Sequence, residues 1–368
     1  MTRQGGLRVA LAGASGALAR EVVAVMEERR LPVDEILPFA TRASLGQEIE
    51  FFDDPIPITA GMPSLRGVDL LLVCTPREPA LELVRQALRE EVFCIDCSGS
   101  LAGSAEVPLL VSDLCPAGAV LGAPVIATPA GPALAWSLAL APLARAAGLV
   151  RVVGTLLQSA SHAGRAGIDV LSRETLALLT QQDLPSVEVF AGPIAFDCVP
   201  APDPASQPGD GDGDGASDAD LSGARREADV ARDVLRLVQS VVQADRDANP
   251  EASTEPAGPG AESLRIAVNA VQVPTFVSDG SALAIQTERP LSPAEAGEIL
   301  QKAAGVELWQ GESGPSTRDA ASQDLALVGR LRPDPSVSGG LLLWVAADPL
   351  RLAAGNVVKL AETRLRLN

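Results

Sequence analysis

The chain is poor in the residues that build most catalytic and metal-binding centres. It has one histidine, His162, in 368 residues. Its five cysteines are Cys74, Cys94, Cys97, Cys115 and Cys198. Cys94 and Cys97 form one C-x-x-C, with neither the second pair nor the histidines a zinc site needs. The pair falls in an apolar run that reads as a buried strand end, which argues against a redox role. The thiol count is odd and no secretion signal opens the chain, so a reducing, cytoplasmic setting is expected. Of the 29 basic residues only Lys302 and Lys359 are lysines. No apolar window reaches the ~18 residues a membrane-spanning helix needs. No basic patch offsets a formal charge of −18, which excludes nucleic acid and anionic lipid as partners.

What is present is ample apolar sequence, 47% of the residues, over a length that suggests about two domains. The first third alternates strand and helix. LRVALAG (Leu7 to Gly13) and DLLLVCT (Asp69 to Thr75) read as buried strands. A helical pattern runs from Ala17 to about Arg30, with Val22, Val23, Val25 and Met26 spaced for one buried face. PALELVRQALREE reads as a second helix with Pro79 in its first turn. FCIDCSG and PVIATPAG continue the alternation, which predicts a doubly wound parallel sheet of Rossmann type.

The middle third turns strand-rich. RVVGTLLQSASHAG starts a strand, and PSVEVFAGPIAFDCVP reads as containing another. Two segments rich in Pro, Gly, Asp and Ser, 202–223 and 244–263, bury too little to offset their ordering entropy and are expected to be disordered insertions. Between them ARREADVARDVLRLVQSVV reads as one amphipathic helix. Asp210, Asp212, Asp214 and Gly215 have calcium-loop spacing, but the twelfth position is Leu221 where a bidentate glutamate belongs. No metal is expected there. GGLLLWVAAD reads as a buried strand, and RLAAGNVVKLAETRLRLN as a helix long enough to return to the first domain.

Gly13-Ala14-Ser15-Gly16-Ala17 lies between a strand and a helix. Glycines there allow a tight turn and close approach to a phosphate, which the helix N-terminus attracts. A tight turn with no ligand is the plainer alternative.

Taken in order, VALAGASGALAREVVAVMEERRLPVDEI, ATRASLGQ, VFCIDCSGSLAGSAEVPLLVSDL, PVIATPAGPALAWSLALAPL, LLQSASHAG, GPIAFDCVP, VQVPTFVSDGSALAIQ and LLLWVAADPLRLAAGNVV resemble the aspartate-semialdehyde dehydrogenase family over nearly the whole chain. The resemblance implies a dinucleotide-binding domain at 1–132 plus about 350–368, and an α+β dimerisation domain at 133–349. It implies NADP or NAD as cofactor, held at Gly13, Ser15, Gly16, Ala17, Thr41, Arg42 and Ser44, and a homodimer. In the family a cysteine thiolate attacks the aldehyde, a histidine is acid and base, hydride passes to NADP, and phosphate releases the acyl group.

Carried over position by position, most of that equipment is missing. The nucleophile position is Gly131, in Thr128-Pro129-Ala130-Gly131. The acid/base histidine falls on Asp279. The arginine expected to hold the substrate carboxylate falls on Gln272. The phosphate-holding arginine falls on Ala102, in a loop with no nearby basic residue. The basic residue of the C-terminal helix falls on Leu352, beside Arg351. The family glutamine is kept as Gln158. After the second strand either Arg42 or Ala43 takes the arginine position, which leaves the choice between NAD and NADP open. His162 lies in a segment the family places near its active site, and reads as a loop histidine bonded to backbone, with acid/base duty as the alternative. Cys97 and Cys115 are displaced from the nucleophile position, and hydride geometry does not tolerate such a shift.

Three functions remain: a non-catalytic homologue of the Usg type that keeps fold, dimer and nucleotide site; an NAD(P)-dependent oxidoreductase using Gln158, His162 and Asp279 by a noncovalent route; and a scaffold that pairs with a true family enzyme.

Overall fold

Strand β1 (Leu7–Ala12) is apolar and buried from Val9 to Ala12, with only Arg8 polar and part-exposed at its start. The helix that follows, α1 (Ala17–Glu28), buries Ala19, Val22, Val23, Val25 and Met26, the face its 3.6-residue period predicts. The chain continues through β2 (Val33–Ala40), the hairpin β3 (Glu48–Phe51) and β4 (Asp54–Pro57), and β5 (Thr59–Ala60). Then come β6 (Leu70–Val73), α2 (Arg77–Arg89), β7 (Phe93–Asp96), α3 (Ala117–Leu121) and β8 (Val125–Ala127). The computed structural model describes residues 6–186, 189–190, 192–200, 223–248, 264–311 and 313–366. It divides into two units, Met1–Leu134 with Leu350–Asn368, and Ala135–Pro349.

Unit 1 is built on a six-stranded parallel sheet, ordered β5-β2-β1-β6-β7-β8. The strand order reverses at β1, which opens a crevice at the carboxyl ends of β1 and β6. Helix α2 starts at Arg77, two residues ahead of the expected Pro79, and Pro79 still falls in the first turn, where its missing N–H costs nothing. The hairpin β3–β4 carries no strong sequence signal, because Phe52 and Asp53 turn it with positive φ where glycine is usual. The C-terminal helix (Pro349–Leu365) belongs to this unit. Its Glu362 accepts two bonds from Arg29 of α1 at 2.8 and 2.6 Å, and its Arg351 donates to Glu21 at 3.2 Å and to Glu28 at 3.0 Å.

Helix α4 (Gly131–Ala147) starts in unit 1 and continues into unit 2. Unit 2 adds β9 (Leu149–Gln158), α5 (Gly164–Leu179), β10 (Val199–Pro200), α6 (Gly223–Ala248), β11 (Arg265–Gln272), β12 (Asp279–Thr287), β13 (Val306–Leu308), β14 (Ala326–Pro333) and β15 (Gly340–Ala347). Its mixed sheet runs β10-β11-β9-β12-β15-β14-β13. On one face, Trp136 of α4 covers Gly154 and donates to Ser281 Oγ at 2.8 Å. The other face shows half-buried Val153, Leu157, Val271, Leu342 and Trp344.

Three expectations change here. The described part of the stretch expected to hold a strand near IAFDCVP gives only the two-residue β10, because Ile194 and Ala195 instead cap the buried Glu174 carboxylate at 2.8 and 3.0 Å. Helix α6 runs to Ala248, beyond the expected start of an insertion at 244, and Arg145–Asp245 at 2.7 Å and Gln243–Asp247 at 2.8 Å account for the extra turn. Segment 164–179, within the strand-rich stretch, is helix. The segment with Asp210, Asp212, Asp214, Gly215 and Leu221, and residues 249–263, lie outside the described residues. Among the described residues no helix is long and apolar enough to cross a membrane, and no group of three metal-ligating side chains occurs.

Candidate functional site

In unit 1 the Gly13–Gly16 turn joins β1 to α1 inside the crevice. Gly13 has φ +74°, and a Cβ there would lie 2.5 Å from the Cys74 carbonyl oxygen, so only glycine fits. Its N–H donates to Phe39 at the end of β2 at 2.9 Å, which fixes the turn against that strand. Gly16 caps α1 with no side-chain acceptor, so the first helical N–H groups are left for an anion. Ser44 Oγ donates to Ser15 Oγ at 2.9 Å and ties the turn to the segment after β2. There Thr41 and Arg42 are exposed, beside the buried Ser44. A tight glycine turn with unpaired N–H groups at a helix start suits the pyrophosphate of a dinucleotide, which the Gly13–Gly16 turn therefore fits.

Across the crevice, Asp96 at the end of β7 is fully buried and accepts from Ser98 N, Ser98 Oγ and Leu101 N at 2.9, 2.5 and 2.9 Å. This shapes the loop that ends at the buried Ala102. Sequence order hides a cation here. The Arg77 guanidinium covers the open side of Gly99, with Nη2 3.3 Å from where a Cβ would stand, and Ser100 Oγ donates to the Arg77 carbonyl at 2.8 Å. Arg77 of α2 therefore lies at this loop, contrary to the expectation that no basic residue is nearby. Arg351 is engaged by Glu21 and Glu28, and Leu352 is buried.

The thiols of this unit are poor nucleophiles. Val73 pairs with Asp96, so Cys74 and Cys97 follow side by side, and Cys97 Sγ lies 3.9 Å from the Ile95 carbonyl, to which it donates. The neighbouring Cys74 thiol, then burial, holds the Cys97 thiol well above its ordinary pKa. The neighbour of Cys97 is thus Cys74, not the C-x-x-C partner Cys94, which is buried and shifted the same way. Burial pushes Cys115 up to about 11. Gly131 is the first residue of α4 and carries no side chain.

In unit 2 the last rung of β11, β9 and β12 brings Gln272, Gln158 and Asp279 side by side on the covered face of the sheet. Asp279 Oδ1 accepts from Ser159 N and Ser159 Oγ, both at 2.9 Å, and Ser161 Oγ lies 2.9 Å from Ser159 Oγ. Burial, opposed by the Ser159 bonds and by Arg226, raises the Asp279 pKa to about 6. Arg226 of α6 donates to Gln158 Oε1 at 2.7 Å. Gln272 turns away and donates to the Gln158 carbonyl at 2.9 Å. His162 sits in a 3₁₀ turn (Ala160–Ala163). Its side chain is mostly buried, with a minor part still exposed. Desolvation, then Arg226, lowers its pKa well below 6.5, so it stays neutral. Among the described residues the ring has no hydrogen-bond partner, unlike the expected backbone-bonded loop histidine. The sequence pointed to Gln158, Asp279 and His162 but not to Ser159, Ser161 or Arg226.

Two family models match the chain: semialdehyde dehydrogenase NAD binding domain over residues 8–119, and semialdehyde dehydrogenase dimerisation domain over 253–352. The chain belongs to the semialdehyde dehydrogenase family. It is similar to aspartate-semialdehyde dehydrogenase of Aquifex aeolicus, 28% identical with 97% of each chain covered. It is also similar to the USG-1 protein homolog of Azotobacter vinelandii, 27% identical over 97% of each. The crystal structure of aspartate semialdehyde dehydrogenase II from Vibrio cholerae aligns with a TM-score of 0.82 at 27% identity, over 99% of both chains. The first domain is thus the family's NAD-binding domain and the second its dimerisation domain.

Proposed function

We propose that this member of the semialdehyde dehydrogenase family binds NAD(P) and forms a homodimer, but does not oxidise aspartate semialdehyde. The observation that carries this reading is Gly131. A hydrogen stands where the family resemblance calls for a nucleophilic sulfur, so no acyl intermediate can form at that residue. The thiols with resolved shifts, Cys94, Cys97 and Cys115, are all shifted toward the unreactive neutral form.

Nucleotide binding is supported by the fit of the Gly13–Gly16 cradle. When bound, NAD(P) supplies a hydride acceptor or donor. The chain's own part is to hold the pyrophosphate on backbone N–H groups and to offer Arg42 to the adenosine ribose. Dimerisation is supported by the apolar face of the second sheet, where Val153, Leu157, Leu342 and Trp344 are half-buried in the single chain. A mixed dimer with an active relative would use the same face, and co-purification with such an enzyme tests it.

The second reading, a noncovalent oxidoreductase, rests on Asp279, whose pKa of about 6 suits proton transfer near neutrality. One experiment separates the two. The purified protein is assayed with aspartate semialdehyde and other aldehydes, with both cofactors and with phosphate, alongside calorimetric titration of NAD and NADP. Nucleotide binding with no turnover is expected. Turnover above a protein-free blank, lost in Asp279→Asn, favours the second reading.

A further inference from the structure

We propose that Cys74 and Cys97 are an oxidisable pair that closes a reversible disulfide beside the Gly13 turn. The cross-link stands on the geometry of unit 1, and its effect on NADP rests on the nucleotide reading above.

The sheet selects this pair. Val73 of β6 and Asp96 of β7 are register partners, and the Cys97 N–H donates to the Val73 carbonyl at 3.0 Å. Cys74 and Cys97 therefore stand opposite each other on the next rung. Neighbouring strands lie about 4.8 Å apart, within the roughly 4.4–6.8 Å that separates the Cα atoms of a disulfide. Side chains alternate between the two faces of a strand. Cys74 and Cys97 both pack on the core that holds Leu72, Ile95 and Met26 of α1, whereas Cys94 packs with Val73 on the opposite one. The C-x-x-C pair is thus split across the sheet and cannot close, while Cys74 and Cys97 share a face. Both are part-exposed, and Cys94 is buried.

The oxidant is hydrogen peroxide. Cys74 Sγ attacks one peroxide oxygen, the O–O bond breaks, water leaves, and Cys74 becomes a sulfenic acid. Cys97 Sγ then attacks Cys74 Sγ. The S–S bond forms, the S–O bond breaks, and the hydroxyl leaves with the Cys97 proton as water. Two thiols and one peroxide give one disulfide and two waters. Cys97 is held neutral, which assigns the first step to Cys74 and the second to Cys97. Its fixed place beside Cys74 offsets its weak nucleophilicity. The bond draws the two sulfurs to about 2 Å, closer than any nonbonded contact, so the strand ends have to follow. The Cys74 carbonyl oxygen lies 2.5 Å from where a Gly13 Cβ would stand, and the turn has no slack to absorb the shift.

The full chain carrying Cys198→Ser, which removes the exposed thiol, is treated with hydrogen peroxide and mapped by mass spectrometry without reduction. A linked Cys74–Cys97 peptide pair is expected, two hydrogens lighter than its separate halves and released by dithiothreitol. The wild type is mapped alongside, so the result stands if the variant fails to fold. NADP, titrated by calorimetry, is expected to bind on the order of tenfold more weakly to the linked chain, in step with the linked fraction, and to recover on reduction. Peroxide that leaves both residues as thiols, stops at an unlinked oxidised Cys74, or joins either residue to Cys94 or Cys115 overturns the proposal. Equal NADP affinity in the linked and reduced chains overturns the effect on the turn. A reduced chain that binds no NADP refutes the nucleotide reading instead, and the linked peptide then decides the disulfide by itself.

Discussion

Trp136 lies so close over Gly154 that a Cβ on the glycine would sit 2.1 Å from the indole Cη2. The same indole donates to Ser281 Oγ at 2.8 Å, so the ring is held from both ends and cannot step aside. Gly154→Ala is therefore expected to destabilise unit 2 by about 1–3 kcal/mol through overpacking. Ser281→Ala leaves a buried N–H without an acceptor and is expected to cost about as much. Urea unfolding midpoints check both. A Gly154→Ala protein as stable as the wild type would show that the indole has room to move.

The nucleotide cradle makes a different demand. Gly13→Ala combines a positive φ with a contact against the Cys74 carbonyl, which is backbone and cannot yield. NADP affinity is expected to fall on the order of tenfold or more as the turn opens. Arg42→Ala leaves the turn alone and removes the exposed cation after β2. It is expected to weaken NADP about tenfold while leaving NAD nearly unchanged, since charge-assisted bonds to phosphate are among the strong ones. Equal effects on the two cofactors would mean that Arg42 does not meet the 2′-phosphate.

The thiols offer a test needing no ligand. Cys198 is exposed, whereas Cys94 is buried and Cys97 and Cys115 are held neutral. A thiol-specific dye is expected to label Cys198 quickly, Cys115 slowly, and Cys94 and Cys97 only on unfolding. Gly131→Cys places a sulfur on the first residue of a 17-residue helix, where the dipole favours thiolate, so the new thiol is expected to label quickly as well. It is still expected to give no turnover, because Ala102, Gln272 and Asp279 keep their side chains. Turnover from that change alone would show that the substrate groups had been replaced in working form.

The sequence carried the parallel sheet and the Gly13 turn because each is a local signal: an apolar run, and a glycine between strand and helix. Arg77 and Arg226 escaped it. Each sits on a helix whose pattern looks like a solvated face, and only the meeting of α2 with the Gly99 loop, and of α6 with Gln158, gives them a role. The Cys94-x-x-Cys97 spacing reads as a buried strand end, which β7 bears out, but the neighbour of Cys97 cannot be read from it. Pairing across parallel strands put Cys74 beside Cys97, a relation that distance along the chain does not express. The middle third was read as strand-rich, yet helix α5 fills 164–179, where Gly167 packs so tightly that a Cβ would meet the Ala160 carbonyl at 2.2 Å.

Asp279 and His162 set opposing pH dependences of stability. The folded Asp279 pKa of about 6 lies above its ordinary 3.8, because the buried carboxylate is poorly solvated. Its stabilising contribution is fully present below about pH 4 and is lost as pH rises through 6, a change of roughly 2–3 kcal/mol. The folded His162 pKa lies well below 6.5, so its contribution is present above that pH and lost as pH falls. Arg226 pulls both values down, and Asp348 pushes that of Asp279 up. Between about pH 4 and 6.5 the two slopes oppose each other in the wild type, so the variants separate them. Relative to wild type, Asp279→Asn is expected to gain stability from pH 5 to pH 8, and His162→Gln to lose it over the same range. Unfolding free energies at pH 5, 6.5 and 8 check both, and an Asp279→Asn difference that is flat or falls with pH would mean the carboxyl is solvated in the native protein.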